Sequence, residues 1–279
     1  MGTIGEKIGF VDEPATHPDV ARNIAVHDQI ARRYDSLHGE IFNDVEQARI
    51  RSVLAAAMAK TTSAEGPLRA LDFGCGSGNL TEHLHALGAE VVAADVSRGF
   101  LDLIDERYRD QTVETFHLNG RDLGGLPDGA FDLVATYSVL HHIPDYLAAC
   151  VELARVTKPG GVVVIDHEPS PQSWFHDPVY DEFWHLARRR DWRKYLNPLN
   201  YFRGARRRLS RQDWDEGDIH VTAEDHVEWD EVGRVMAAAG METVLAEDYL
   251  LNHAIYPRAL YERYRDRCSD MRVTIFRKA

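Results

Sequence analysis

Three glycines stand at every second position in Asp72-Phe73-Gly74-Cys75-Gly76-Ser77-Gly78, between an apolar run that starts at Leu68 and an amphipathic stretch that starts at Asn79. Lacking a Cβ, such a loop lets backbone N–H groups come close to a ligand at the mouth of a helix. Asp95 closes the next apolar run, a place from which one carboxylate can accept both hydroxyls of a ribose. Further on, His141, His142 and His167 follow two later apolar runs. Imidazole titrates near neutrality, so these are the natural candidates for a proton acceptor. The chemistry on offer is a nucleoside-type ligand beside a base.

These residues need a frame. Leu68 to Phe73, Glu90 to Asp95, Thr112 to Leu118, Phe131 to Tyr137 and Val162 to Asp166 read as short buried strands. Between them Leu80, Leu84 and Leu87, then Phe100, Ile104 and Tyr108, then Leu147, Cys150, Val151 and Ala154 fall at helical spacing. That alternation predicts an α/β fold, a doubly wound and mostly parallel sheet. Ligands of such sheets bind beyond the carboxyl ends of the strands, which is where the glycine loop, Asp95 and all three histidines fall. Upstream, Asn43 and Glu46 match a capping box ahead of Ile50, Val53, Leu54 and Ala57, so residues 1–60 are expected to form an N-terminal helical cover over that edge. Residues 169–225 break the alternation and are expected to be an insertion. Trp229, Val232, Met236 and Ala239 then restore a helix that Gly240 ends, and Met241 to Leu250 and Met271 to Arg277 read as the last two strands. The 279 residues suit a single domain over 1–279 with a sizeable core.

The glycine spacing separates two ligands. A dinucleotide loop carries its third glycine one position later, where this chain has Asn79, and Asp72 just ahead of the loop would repel a pyrophosphate while attracting an ammonium. At this point the chain resembles the class I S-adenosylmethionine-dependent methyltransferases. Asp72 to Gly78 is similar to their glycine motif, Asp95 to their ribose acid, and Gly120-Arg121-Asp122-Leu123-Gly124-Gly125-Leu126-Pro127 to their adenine-side element. The resemblance spans roughly residues 34–166 and resumes near Trp229. It implies a seven-stranded Rossmann-like sheet whose last strand is antiparallel, and S-adenosyl-L-methionine as cofactor. It further implies that Gly74, Cys75, Gly76 and Gly78 face the methionine part and that Val96 packs on the adenine. Asp122 would accept from the adenine amino group and the Leu123 N–H would meet a ring nitrogen. Ser138 would lie near the methionine ammonium, and Tyr34 would close over the cofactor.

Absent chemistry narrows the acceptor. Ser138-Val139-Leu140-His141-His142 stands where amino-methylating nucleic-acid enzymes carry an Asn/Asp-Pro-Pro-Tyr loop, and none of Cys75, Cys150 and Cys268 has the setting of a cytosine C5 nucleophile. Metal-dependent catechol methylation would need acids at both the fourth and fifth strand ends, and only Asp166 is available, so no metal is expected. A small molecule is left, with O-methylation favoured over N- or C-methylation and a base drawn from His141, His142 and His167. The insertion adds charge. Residues 188–211 hold ten Arg and Lys against Asp191, a local +9 in a chain whose net charge is −13, and the surrounding segment carries Trp174, Trp184, Trp192 and Trp214. Such segregation fits a lid whose arginines receive an anionic acceptor. It also fits an RNA methyltransferase, although the overall acidity disfavours nucleic acid. A catalytically silent S-adenosylmethionine-binding protein is the third reading. Three scattered cysteines, no secretory leader at the start and no apolar run of membrane length predict a cytoplasmic enzyme of small-molecule metabolism that does not engage the membrane.

Overall fold

The computed structural model describes residues 31, 34, 38–62, 66–109, 111–174, 177–189, 227–253 and 256–279. Seven strands form one sheet: β1 (Arg69–Phe73), β2 (Glu90–Asp95), β3 (Val113–His117), β4 (Phe131–Tyr137), β5 (Thr157–Pro169), β6 (Met241–Tyr249) and β7 (Met271–Lys278). Their spatial order is β3-β2-β1-β4-β5-β7-β6. β1 to β5 pair in parallel, and β7 lies antiparallel between β5 and β6. This is the seven-stranded, mostly parallel sheet expected from the sequence, with the last strand reversed.

Parallel strands covered on both faces become apolar on both, and every residue of β4 is buried. The two-residue period sorts these side chains. Leu71, Val134, Val163 and Ile165 point to a core covered by α4 (Tyr146–Val156) and α7 (Trp229–Ala238). Ala70, Leu133, Ala135, Val162 and Val164 point to the opposite core, covered by α1 (Asp44–Met58) and α2 (Asn79–Ala86). α3 (Arg98–Arg107) flanks β2 and β3. Among the described residues no helix is long and apolar enough to cross a membrane.

Two local expectations are corrected, and one helix was not expected. β5 starts at Thr157 rather than Val162: Thr157 pairs with Phe131, the Lys158-to-Gly161 stretch bulges out, and pairing resumes with Val162 opposite Leu133. The capping box is half formed: Asn43 Oδ1 accepts from the Val45 and Glu46 N–H groups, while the Glu46 carboxylate turns inward to Arg49 and Tyr137. A helix, α8 (Arg258–Tyr264), occupies a stretch that shows no long periodic pattern; it packs Tyr261 and Tyr264 with Phe183 of α6 (Pro178–Arg189). A one-turn helix, α5 (Pro171–Trp174), follows β5 directly.

Two glycines give opposite expectations for stability. A Cβ on Gly161 would stand 2.8 Å from the Asp132 carbonyl oxygen and 3.0 Å from that of Lys158, backbone atoms that cannot swing aside. A Cβ on Gly233, within α7, would meet nothing within 4 Å. Urea denaturation of Gly161→Ala should therefore show a loss of about 1–3 kcal/mol. Gly233→Ala should gain about 0.5–1 kcal/mol by restricting the unfolded chain. Equal effects of the two substitutions would contradict this packing.

Candidate functional site

The carboxyl ends of β1, β2, β4 and β5 lie side by side, and the loops leaving them build the site. The loop after β1 is tied to β2: the Gly74 and Cys75 N–H groups donate to the Ala94 carbonyl at 2.8 and 3.0 Å, and the Gly76 N–H donates to Asp95 Oδ2 at 2.9 Å. Its glycines serve different ends. A Cβ on Gly74 would enter Val139 at 2.5 Å, and one on Gly78 would enter Ile104 at 2.4 Å, so both are demanded by neighbouring protein. Gly76, at φ +50°, would project a Cβ into open space with nothing within 4 Å. There the backbone presents a bare face outward.

Asp95 stands beside that face. Oδ1 accepts the Ser97 N–H at 2.8 Å and Oδ2 accepts the Gly76 N–H, so the carboxylate is held at the mouth of the loop. The Tyr34 ring meets Phe100 of α3 edge-on at 5.3 Å, on the Asp95 side of the loop. Val96 is half-buried against the core, its carbonyl beside His117 Nε2 at 3.1 Å. Ser138, just past β4, holds φ 60°, and its N–H donates to the Asp166 carbonyl. The open backbone face at Gly76, with the Asp95 carboxylate beside it, fits the S-adenosylmethionine that the resemblance implies.

Other expected residues stand further back. Asp72 is fully buried behind the loop and accepts the Thr81 hydroxyl at 2.6 Å; burial pushes its carboxyl up to about 7, against the Thr81 hydrogen bonds. Cys75 is buried, and burial with the nearby Asp95 and Asp72 charges holds its thiol well above the usual range. Asp122 is exposed and holds Asn119 and the Gly124 N–H, which lower its pKa. The Leu123 N–H donates to Glu152 at 3.1 Å.

The histidines part company. The His141 and His142 rings lie 4.0 Å apart in the short 3-10 turn after β4. His141 Nδ1 is 2.7 Å from Glu168 Oε2, and the fully buried Glu168 also accepts the N–H groups of Val139 and Leu140 at 2.9 and 2.7 Å. Burial alone would raise the Glu168 pKa, but His141 and these N–H groups outweigh it and hold the carboxyl low. His167 is instead buried, stacked on Tyr137 at 4.4 Å with Nδ1 3.2 Å from the Tyr249 hydroxyl and 3.8 Å from Glu46.

Around His167 lies a cluster that sequence reasoning missed. Arg49 bonds Glu46 through Nε at 3.0 Å and Asp166 through Nη2 at 3.0 Å, and its guanidinium lies 3.9 Å over the Tyr249 ring. Burial would raise the Glu46 pKa, yet His167 and Arg49 bring it down to about 2; Asp166, fully buried, stays above its ordinary value. The signal was present, since Glu46 falls on the same helical face as Ile50, Leu54 and Ala57, the buried stripe of α1. The side chains of Arg188 to Arg211, with those of Trp174, Trp192 and Trp214, lie outside the described residues.

Comparison with known proteins identifies the family. A family model described as a methyltransferase domain matches residues 71–165. An uncharacterized methyltransferase of Schizosaccharomyces pombe is 40% identical over 105 residues, 34% of this chain and 38% of its own length. The ubiquinone biosynthesis O-methyltransferase of Dinoroseobacter shibae is 31% identical over 185 residues, covering 60% of this chain and 69% of that protein. The chain thus spans between 38% and 69% of the length of these two relatives. Magnesium protoporphyrin IX methyltransferase from Synechocystis PCC 6803, solved with bound SAM, shares the fold, with a TM-score of 0.54 at 15% identity over 92% of this chain and 97% of that one.

The distinct roles of the glycines can be separated by calorimetry with S-adenosylhomocysteine. Gly76→Val should stay folded and lose binding, whereas Gly74→Ala should lower stability first. Asp95→Ala should weaken binding by about 1.5–3 kcal/mol, the range for hydrogen bonds to charged groups. Unchanged affinity in folded Gly76→Val and Asp95→Ala proteins would remove the ligand from this edge.

Proposed function

Because the chain belongs to the class I S-adenosylmethionine-dependent methyltransferases, we propose that it transfers a methyl group from S-adenosylmethionine to a small-molecule acceptor, with oxygen the favoured target. The observation that carries this reading is the bare backbone face at Gly76 beside Asp95, opening at the same sheet edge as the His141–Glu168 pair. When bound, the cofactor supplies an electrophilic methyl carbon on a positively charged sulfur. Gly74 to Gly78 would receive its methionine part, Asp95 its ribose, and Val96 and Asp122 its adenine, with Tyr34 and Ser138 closing the two sides. What remains for the protein is to align the acceptor and take up its proton.

Glu168 fixes how that proton is taken. An ionised carboxylate only accepts, so the neutral His141 ring carries its hydrogen on Nδ1 toward Glu168 and its basic lone pair on Nε2. Within this reading His141 is the base and Glu168 the positioning residue. His142, 4.0 Å from His141 ring to ring, shapes the same wall. His167, held among Tyr137, Tyr249 and Glu46, supports the edge rather than meeting the acceptor. The name of the Dinoroseobacter shibae relative supports transfer to oxygen. A second reading, an anionic acceptor under a basic lid, is favoured by the +9 charge of residues 188–211.

The test is S-adenosylhomocysteine release with a panel of hydroxyl-bearing small molecules and RNA. Turnover on a small molecule is expected; turnover on RNA alone would move the assignment to RNA. Cofactor binding with no turnover on any acceptor would favour a silent binding protein. With the active acceptor, His141→Asn should lower kcat by about 10²-fold, the lower range for a general base, with cofactor affinity unchanged. Glu168→Gln should lose about tenfold, in the range of outer-shell partners of a functional histidine. An unchanged kcat in His141→Asn would remove it as the base.

A further inference from the structure

A cavity of about 310 Å³ opens where β5 ends and β7 begins, apart from the glycine cradle. Its walls are Tyr180 and Trp184 of α6, Tyr256, Leu251 and His253, and its floor is Asp270. The aromatic planes meet at right angles: Trp184 stands at 88° to Tyr180 and at 87° to Tyr256, with ring centroids 6.1 and 6.4 Å away. Three sides of a box result.

The polar tips of this box are already engaged. The Tyr256 hydroxyl donates to the Leu251 carbonyl, and the Tyr180 hydroxyl is held by the Trp184 side chain and by Asp270 Oδ2 at 3.4 Å. The three rings line the cavity, and aromatic faces are electron-rich and attract positive charge. Asp270 is nine-tenths buried, and its Oδ1 accepts the Leu251 N–H at 2.7 Å. Burial pushes its carboxyl up to about 6, with Leu251 and His167 acting the other way. No Lys or Arg lines the cavity among the described residues. The lining group that can gain a positive charge, His253, has Glu40 at 4.0 Å.

We propose that this cavity binds a small organic cation, an ammonium group seated against Tyr180, Trp184 and Tyr256 with Asp270 as its counter-ion, and that it anchors the acceptor by that group. The inference rests on the methyltransferase reading and adds a substrate class to it. It also separates the anchor from the atom that is methylated. The cavity and the His141 pair draw on consecutive residues of β5, Pro169 on the cavity and Glu168 beside His141. The basic run of residues 188–211 points to the opposite charge, and the two readings make opposite forecasts.

The experiment is a titration of the full chain with choline and with its uncharged isostere 3,3-dimethylbutan-1-ol, followed by tryptophan fluorescence and calorimetry. Choline should bind at least about tenfold more tightly than the isostere, the scale of a desolvated cation–π contact with a counter-ion. Asp270→Asn, which keeps the side chain's shape, should remove that preference. Trp184→Leu, which leaves the Leu251 bond to Asp270 in place, should weaken choline by a similar factor and guards against a folding defect in the first variant. Equal binding of choline and the isostere would reduce the site to an apolar cavity and overturn the proposal. Tighter binding of an anionic analogue such as 3,3-dimethylbutanoate would overturn it in favour of an anionic acceptor, and no binding of any probe would overturn it as well. S-adenosylhomocysteine affinity is measured in the same samples: its absence in the wild type would sink the methyltransferase reading itself, whereas intact affinity without cation preference would sink only this site.

Discussion

The carboxyl edge of the sheet is organised by one constraint: carboxylates taken out of water must be given donors. Asp72, Asp95, Asp166, Glu168 and Glu46 are all buried there. An ionised carboxylate left without partners in such a place is far too costly to persist. Each therefore dictates the path of the chain around it. Asp95 pulls the Gly76 N–H toward β2 and starts α3 through Ser97, and Glu168 draws in consecutive N–H groups of the turn after β4. Glu46 and Asp166 share Arg49, which clamps α1 onto the end of β5. Asp72 meets the constraint differently, its carboxyl rising to about 7 so that the charge itself is given up near neutrality.

This arrangement links folding to function, because the same bonds that satisfy the acids hold the loops in place. Groups fixed before a ligand arrives need no rearrangement when charge develops in the reaction. Backbone strain marks the same places. Ser138 and His167 both hold φ 60°, a region that costs a non-glycine residue about 1–3 kcal/mol and persists only where neighbours enforce it. For His167 the neighbouring contacts are Tyr137, Tyr249 and Glu46, so the buried cluster packs around the irregularity in β5 between Ile165 and Glu168, just ahead of the Glu168 that meets His141.

How much of this was legible in the sequence follows from the range of each interaction. The parallel strands and their helices could be read because each apolar run is buried by its own period, as β4 is along its whole length. The glycine loop could be read because three glycines between a strand and a helix have few other uses. Glu46 was read as a cap partner because Asn43 stands three residues ahead, and the local rule is indifferent to what the other face of the helix meets. In the fold that face meets Tyr137 and Arg49, and the tertiary contacts won. Glu168 shows the same limit. Its partners at 139–141 lie a whole strand and helix away, and only the parallel register of β4 and β5 brings them together.

The reversed strand explains why the elements beyond the cofactor cradle come from two distant parts of the chain. β6 runs parallel to β5, so it finishes at the carboxyl edge with Tyr249, and β7, antiparallel to both, starts at that same edge with Met271 opposite Pro169 and Tyr249. The connection between them, 250–270, has no need to cross the sheet. It stays on the ligand side and delivers Leu251, Tyr256 and Asp270 there. The segment leaving β5 also begins at this edge and delivers Tyr180 and Trp184 on α6, which packs against α8. Had β7 been parallel, its connection would have returned to the amino edge and the cavity would lack its floor. One strand reversal thus brings the start of β7 and the end of β6 to the edge at which the segment carrying α6 leaves β5, and α6 packs with α8 there.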